Sequence, residues 1–197
     1  MKYNGGLTRE QFLFDETRVV AKLVVEGYPK DQIIDMVYSN NLFQYPTEKM
    51  LKNIASVCYE RIMGLDNKNL IQSLAMGSFE LAKQVNFYAI IKKERLIYEF
   101  MTIVVADKYK SKDYSFSKVD LNIFFQQLQE QSDQVSTWSD STIQRIKQVI
   151  VRMLIDVGYI NDKNFRVLNE FIIEYDLERG IIDNGDQFLL PIFNRFM

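Results

Sequence analysis

Apolar residues recur with the period of an α-helix in almost every window of this 197-residue chain. In the stretch Asp140–Val157, for example, they fall at Ile143, Ile146 and Ile150. Spacings of three and four place such residues on one helix face, which packs against a core. Helices do not alternate regularly with strand-like segments, and no fixed-period repeat is visible. The sequence therefore predicts a compact all-α fold of about eight helices.

Capping residues and glycines mark the helix boundaries. Thr8 and Gln11 form a capping-box pattern, which predicts that a first helix begins at Thr8 and stops at Gly27. Thr47 and Ser117 are N-cap residues that predict two later helices, one through about residue 63 and one through about residue 131.

The pattern changes past Gly158. The stretch NFRVLNEFIIEY mixes β-branched and aromatic residues, and it is compatible with one short strand or with a pair that forms a short β-hairpin of winged-helix type after the eighth helix. We expect one domain over residues 1–197. Its expected subdivisions are 1–77 for the N-terminal helices, 78–160 for the central helices, and 161–197 for the C-terminal hairpin and two short helices.

The composition argues against an enzyme. The sequence contains no histidine and one cysteine, Cys58, which removes the commonest general base and any Cys/His zinc site. No Gly-rich phosphate loop is present. We expect no catalytic residues, no metal, no cofactor and no small-molecule substrate, and we expect Cys58 to be a buried apolar residue.

The hydropathy pattern predicts a cytoplasmic protein without a membrane anchor. The most apolar window, Leu96–Ala106, contains Glu99 and is far shorter than the roughly 20 residues of a membrane span. The N-terminal stretch has no apolar core of signal-peptide type. A single cysteine also fits a reducing compartment.

The net charge of −2 is unevenly distributed. Residues 83–118 carry eight Lys/Arg against four Asp/Glu, and residues 136–166 carry five against three. Residues 167–197 carry two against six. A basic middle and an acidic tail are compatible with nucleic-acid binding by one face. They are equally compatible with ordinary solvated surfaces, and charge alone does not decide.

The polar face of the Asp140–Val157 helix carries the first set of candidate nucleic-acid contacts. Arg and Gln side chains reach phosphates or base edges in a major groove, and a basic hairpin after a helix is the order of a winged-helix reading element. The candidates are Ser141, Arg145, Gln148, Arg152, Lys163 and Arg166. The alternative interpretation is a solvated helix face with Ser139 or Ser141 as its cap.

A second basic set lies earlier in the chain. It consists of Lys92, Lys93, Arg95, Lys108, Lys110 and Lys112. We expect the two sets to lie on one side of the molecule, where both would neutralise phosphates.

Three stretches in a fixed order resemble one protein family. GLTREQFLFDETRVVAKLVVEGYPKDQI, followed by NNLFQ, is similar to the N-terminal signature of the BrxA family, the small A component of BREX phage-exclusion systems. FYAIIKKERLIYEFMTIVVADKY resembles its central helix pair. WSDSTIQRIKQVIVRMLIDVGYI resembles its W-S-x-x-T helix, which ends in a glycine turn. Together they cover about residues 3–160.

The resemblance implies an all-helical fold related to the RNA-binding antitermination factor NusB. It implies a non-enzymatic accessory protein of bacterial phage defence, with double-stranded DNA as ligand and other BREX components as partners. It brings no catalytic motif. Two alternatives stay open: a protein-interaction adaptor within the defence complex, and an RNA-binding, antitermination-like module.

Overall fold

A computed structural model describes Tyr3 and residues 5–196, and the regular structure in this part of the chain is helical. The all-α class is confirmed. The α-helices are α1 (Phe14–Val25), α2 (Lys30–Ser39), α3 (Glu48–Met63), α4 (Lys68–Met76), α5 (Phe79–Lys93), α6 (Arg95–Phe100), α7 (Ala106–Ser111), α8 (Lys118–Gln131), α9 (Asp133–Ser136), α10 (Asp140–Val157) and α11 (Tyr175–Asp183). Gly5–Thr8 and Gln187–Phe193 are 3-10 turns, and a π-helical turn, Met101–Val105, joins α6 to α7.

The chain divides into two compact units. Unit 1 comprises Met1–Gln11, Glu94–Ile173 and Ile181–Met197, and unit 2 comprises Phe12–Lys93 and Glu174–Gly180. The break after Lys93 differs from the expected subdivision at 77/78. Helix α5 explains the difference, because it packs against α1, α3 and α4 and so belongs with the helices before it.

Unit 2 is built on the faces of α1, α3, α4 and α5 that carry apolar residues. Cys58 on α3 is fully buried, as the sequence predicts, and the hydroxyl of Thr17 donates to its Sγ at 3.4 Å. Burial raises the pKa of the Cys58 thiol to about 11, so the thiol stays protonated. Gly180 lies against Leu70, where an added Cβ would come within 2.5 Å of the Leu70 side chain.

Side-chain caps begin several helices where the sequence predicts them. The Thr47 side chain accepts from the backbone N–H of Met50 at the start of α3. Ser117 forms a full capping box with Asp120 at the start of α8. These interactions supply partners for N–H groups that a helix leaves unbonded in its first turn.

The capping box predicted for Thr8 and Gln11 is wrong. Thr8 ends a 3-10 turn, and α1 begins only at Phe14, after Leu13 in the left-handed region at φ +47°. The cause is a long-range contact: the side-chain amide of Asn86 donates to the carbonyl of Phe12 at 2.8 Å. This buried hydrogen bond fixes Phe12 just ahead of the helix.

The β-hairpin predicted after Gly158 is not confirmed, because the segment pairs elsewhere. The N–H of Phe116 donates to the carbonyl of Arg166 at 2.9 Å, and the N–H of Leu168 donates to that of Tyr114 at 2.8 Å. The result is one isolated antiparallel bridge between Ser115 and Val167. Val167, one of the β-branched residues of this stretch, thus pairs with the loop before α8.

An aromatic cluster fixes the end of α10 within unit 1. Tyr159 is fully buried and stacks on Phe171, with ring centroids 4.3 Å apart. Its hydroxyl donates to the carbonyl of Ile192 at 3.1 Å. The Tyr109 hydroxyl donates to the carbonyl of Asn169 at 2.8 Å. Burial raises the pKa of Tyr159 well above its usual value, so its hydroxyl stays protonated and can donate the hydrogen bond to Ile192.

Candidate nucleic-acid interface

Helix α10 presents the core face and the polar face that its sequence predicts. Ile143, Ile146 and Ile150 are buried, and Ser139 is the N-cap, with its side chain accepting from the N–H of Thr142 at 3.3 Å. The helix ends at Gly158, whose φ of +95° lies in the region that glycine adopts most easily. The buried face turns the opposite, polar face of the helix toward solvent.

The first candidate set is exposed throughout. Its members are Ser141, Arg145, Gln148 and Arg152 on α10, with Lys163 and Arg166 in the segment that follows. The Ser141 hydroxyl lies 2.9 Å from the hydroxyl of Ser139, so it is part of the capping arrangement. The backbone of Arg166 is held by the pairing with Phe116.

A groove of about 650 Å³ runs between α8, α10 and the segment after Gly158. We call it the α8–α10 groove. The described residues that line it are Lys118, Leu121, Asn122, Gln144, Lys147, Gln148, Val151, Arg152, Ile155, Lys163 and Asn164. This lining contains four cations and no carboxylate, which makes the groove a local region of positive potential.

Lys147 ties the two helices of the groove together. Its Nζ donates to Oδ1 of Asn122 on α8 at 2.8 Å and lies 5.2 Å from the centroid of the Phe125 ring. Partial burial lowers the pKa of Lys147, against an opposing effect of Asp140. The ammonium group therefore lies in a less hydrated position than a typical surface lysine.

A second concavity of about 570 Å³ adjoins the groove along α10. It is lined by Thr8, Ser141, Thr142, Gln144, Arg145 and Gln148. Gln144 and Gln148 line both concavities. The polar face of α10 therefore lines two recesses that share Gln144 and Gln148, and their linings together include all of the first set except Arg166.

Sequence reasoning missed Lys118, Asn122, Gln144 and Lys147. Lys147 and Gln144 flank the predicted stripe on α10 by one position, so a wider helical wheel would have included them. Lys118 and Asn122 belong to α8, and only the packing of α8 beside α10 brings them to this surface.

The second basic set is divided between the two units. Lys92 and Lys93 end α5 in unit 2, whereas Arg95, Lys108, Lys110 and Lys112 belong to unit 1. Several of these cations have local partners. Lys93 pairs with Glu60 at 2.8 Å, and Arg95 pairs with Glu99 at 2.7 Å and lies over the Tyr3 ring. The expectation that both sets share one side stays a prediction.

Lys108 differs most from its expected role. Its ammonium group lies 3.0 Å from Asp120 and 3.2 Å from Asp113, and its side chain is only 14% exposed. Burial opposes the charge, but the two carboxylates outweigh it and raise the pKa of Lys108. Ser115, and after it Lys108, holds the pKa of Asp113 at about 2.

We expect K108Q to reduce stability by on the order of 1 kcal/mol and to leave DNA affinity unchanged. The matched control is K110Q, because Lys110 is exposed at the end of the same helix. The contribution of Asp113 to the free energy of unfolding is fully present above the pKa of an unfolded Asp, near 3.9. It is lost as pH falls through the folded pKa of about 2. Thermal unfolding between pH 2 and 7 measures the stability cost of K108Q and its pH dependence. A loss of DNA affinity in K108Q that K110Q does not show would contradict the assignment of Lys108 to these ion pairs.

The described part of the chain defines an all-helical protein with a recessed basic surface on α10. Within that part, no helix is both long enough and apolar enough to span a membrane. The same residues contain no group of three or more His, Cys, Asp or Glu side chains arranged to hold a metal ion.

Comparison with known proteins identifies the family. The model of the BrxA family matches residues 1–185. A Bacillus cereus (strain H3081.97) protein named BREX protein BrxA is 32% identical over 191 residues, which cover 96% of this chain and 95% of that protein. The chain belongs to the BrxA family.

More distant relatives agree. A BREX protein BrxA from Paramagnetospirillum magneticum (strain ATCC 700264 / AMB-1) is 24% identical over 96% of this chain and 94% of its own length. A crystal structure of an uncharacterized protein from Magnetospirillum magneticum superposes with a TM-score of 0.84 at 23% identity, over 99% of this chain and 100% of that one. This likeness shows that the fold is shared.

Proposed function

We propose that the chain is a non-enzymatic, cytoplasmic accessory protein of a BREX phage-defence system, and that it binds double-stranded DNA. Membership of the BrxA family supports its place in such a system, with other BREX components as partners. The recessed basic surface along α10 supports the DNA ligand.

The observation that carries the proposal is the composition of the α8–α10 groove. The four cations of the groove lie on three separate segments. The described residues that line the groove include no carboxylate that could neutralise them. Phosphate contacts by Lys and Arg supply most non-specific DNA affinity. The fold brings these cations together from three separate segments of the chain. This arrangement is better explained by phosphate binding than by an ordinary solvated helix face.

The same surface predicts weak sequence specificity. Most of its polar contacts are cations suited to phosphates, which position a protein without reading bases. Gln148 and Arg145 are the α10 side chains best suited to a base edge. With a net charge of −2, the long-range field adds little, so we expect dissociation constants of roughly 10⁻⁴ to 10⁻⁶ M at physiological salt.

The double variant R145A/R152A tests the assignment of α10. Both side chains are exposed, so the fold should be retained. Affinity for unrelated duplexes should fall about equally, and the slope of log affinity against log salt should flatten by about two units. Fluorescence anisotropy at several salt concentrations measures both quantities.

The control for this variant is K49A/K68A, which removes the same charge from exposed positions in unit 2. It should leave the salt slope unchanged. If R145A/R152A folds and binds duplex DNA like the wild type, α10 is not the interface, and its polar face is only solvated.

The RNA-binding alternative, which the expected relation to NusB suggests, is tested by competition. Duplex DNA and duplex RNA of the same sequence are added separately, as competitors, to a complex of the protein with labelled DNA. The two competitors differ in groove shape and in the 2′-hydroxyl. We expect DNA to compete more strongly. Stronger competition by RNA would favour the antitermination-like function.

The adaptor function has one observation in its favour. Ile172 is 81% exposed and Phe188 is 60% exposed, both in the acidic C-terminal region of unit 1. Exposed apolar side chains flanked by charge are common in protein interfaces. A double I172S/F188S variant that binds DNA normally but no longer co-purifies with BREX components would show that both functions occur in one chain.

A further inference from the structure

The α8–α10 groove has features that phosphate binding does not need. Leu121 on its floor is buried, and Val151 and Ile155 are half-buried. Contacts to a duplex backbone require donors and positive charge at a surface, with no apolar floor. Pockets that enclose a small organic group are instead mostly apolar, with a few polar groups at fixed positions.

The polar groups around this floor are of the kind that bind nucleobases. Asn122, Gln144, Gln148 and Asn164 bring four primary amides to the lining. Each amide has both donors and an acceptor, and such groups pair with the edges of bases. The groove volume of about 650 Å³ lies within the roughly 300–1,000 Å³ of typical small-ligand sites.

Lys147 shows where an anionic group would lie. Its ammonium group is partly buried between α10 and α8, with the neutral oxygen of Asn122 at 2.8 Å. A phosphate entering the groove would give this cation, and with it Lys118 and Arg152, a negatively charged partner in a poorly hydrated position. The cations would hold the phosphate of a nucleotide, the amides would pair with the edge of its base, and the apolar floor would contact the face of that base.

We propose that the α8–α10 groove holds one nucleotide unit, with its phosphate on the cations and its base against Leu121, Val151 and Ile155. The inference deepens the proposed DNA binding and rests on it where the unit belongs to a strand. A nucleotide in a strand reaches the groove only after it leaves the base stack, which is easiest for a nucleotide that is already unpaired. The protein should therefore prefer a duplex with a bulged nucleotide.

The experiment uses the full chain and three probes: a perfect duplex, the same duplex with one bulged 2-aminopurine, and free 2-aminopurine deoxyribonucleoside monophosphate. We expect the bulged duplex to bind at least about 10-fold more tightly than the perfect duplex, with a change in 2-aminopurine emission. The variant V151W fills the groove and leaves all four cations in place. It should abolish both the preference and the emission change, and I155W repeats this test on a second floor residue.

The control is V119W, because Val119 is 61% exposed on α8 and lies outside the groove lining. It should behave like the wild type. Saturable binding of the free monophosphate, lost in V151W, would assign the groove to a free nucleotide instead of a strand, and would still support the site.

Two results would overturn the inference. One is equal affinity for the two duplexes together with no binding of the monophosphate. The other is identical behaviour of V151W and V119W. If perfect duplex is still bound in these cases, the proposed function stands without the nucleotide site. If only the monophosphate is bound, the proposed function fails and the nucleotide site stands.

Discussion

The double charge reversal R152E/K163E should reduce affinity for duplex DNA by on the order of 10³-fold near 0.1 M salt. Both residues line the α8–α10 groove, one on α10 and one in the segment after it. The pair of substitutions removes two cations and adds two anions beside the phosphates. Since log affinity changes with log salt in proportion to the charges involved, the loss should shrink at higher salt.

The comparison variant is K49E/K68E, which makes the same change in net charge at exposed positions of unit 2. A general effect of net charge would weaken both variants equally. A local site should weaken only R152E/K163E. Equal losses, measured by anisotropy titration at matched salt, would mean that the groove is not the binding surface.

The largest loss of stability is expected for Y159A, about 3–5 kcal/mol. Tyr159 is fully buried, stacks on Phe171 and donates to the carbonyl of Ile192. Removing the ring leaves a cavity at the end of α10 and an unsatisfied carbonyl. Urea unfolding followed by circular dichroism measures the change.

The conservative variant Y159F separates the two contributions. It keeps the ring and removes the hydroxyl, so it should cost about 1–3 kcal/mol. Neither variant changes a groove side chain, so a folded Y159F should bind DNA as the wild type does. A Y159F cost equal to that of Y159A would show that the hydrogen bond, and not the stacking, dominates.

Local features of the sequence predicted much of the fold. Helix α3 was expected from Thr47 to about residue 63 and spans Glu48–Met63, because a side-chain cap acts within three residues. Gly27 ends the turn after α1 with φ +91°. The core face of α10 follows directly from the helical period, since Ile143, Ile146 and Ile150 are all buried.

Long-range partners account for the features that could not be predicted. The start of α1 depends on Asn86, which lies 74 residues from the Phe12 carbonyl that it binds. The expected hairpin was lost because Val167 pairs with Ser115. Sequence spacing contains no information about contacts of this length.

The candidate site follows the same rule. The stripe Arg145–Arg152 is a property of one helix and could be predicted, and the structure places it on a recessed surface. Lys118 joins that surface only because α8 lies beside α10, and Lys108 is occupied by Asp120 on α8. Charge counts alone cannot separate a cation in a groove from one held in an ion pair.

The pairing of the segment after α10 with the loop before α8 links ligand binding to folding. Lys118 and Lys163 line one groove, and the backbone hydrogen bonds of Phe116 and Leu168 connect the two segments that carry these cations. An unfolded chain scatters these cations, so a groove ligand binds only the native state. At 100 times its dissociation constant, such a ligand adds about 2.7 kcal/mol to the free energy of unfolding. In a cell, a chain bound to DNA would therefore present fewer opened states to proteases than a free one.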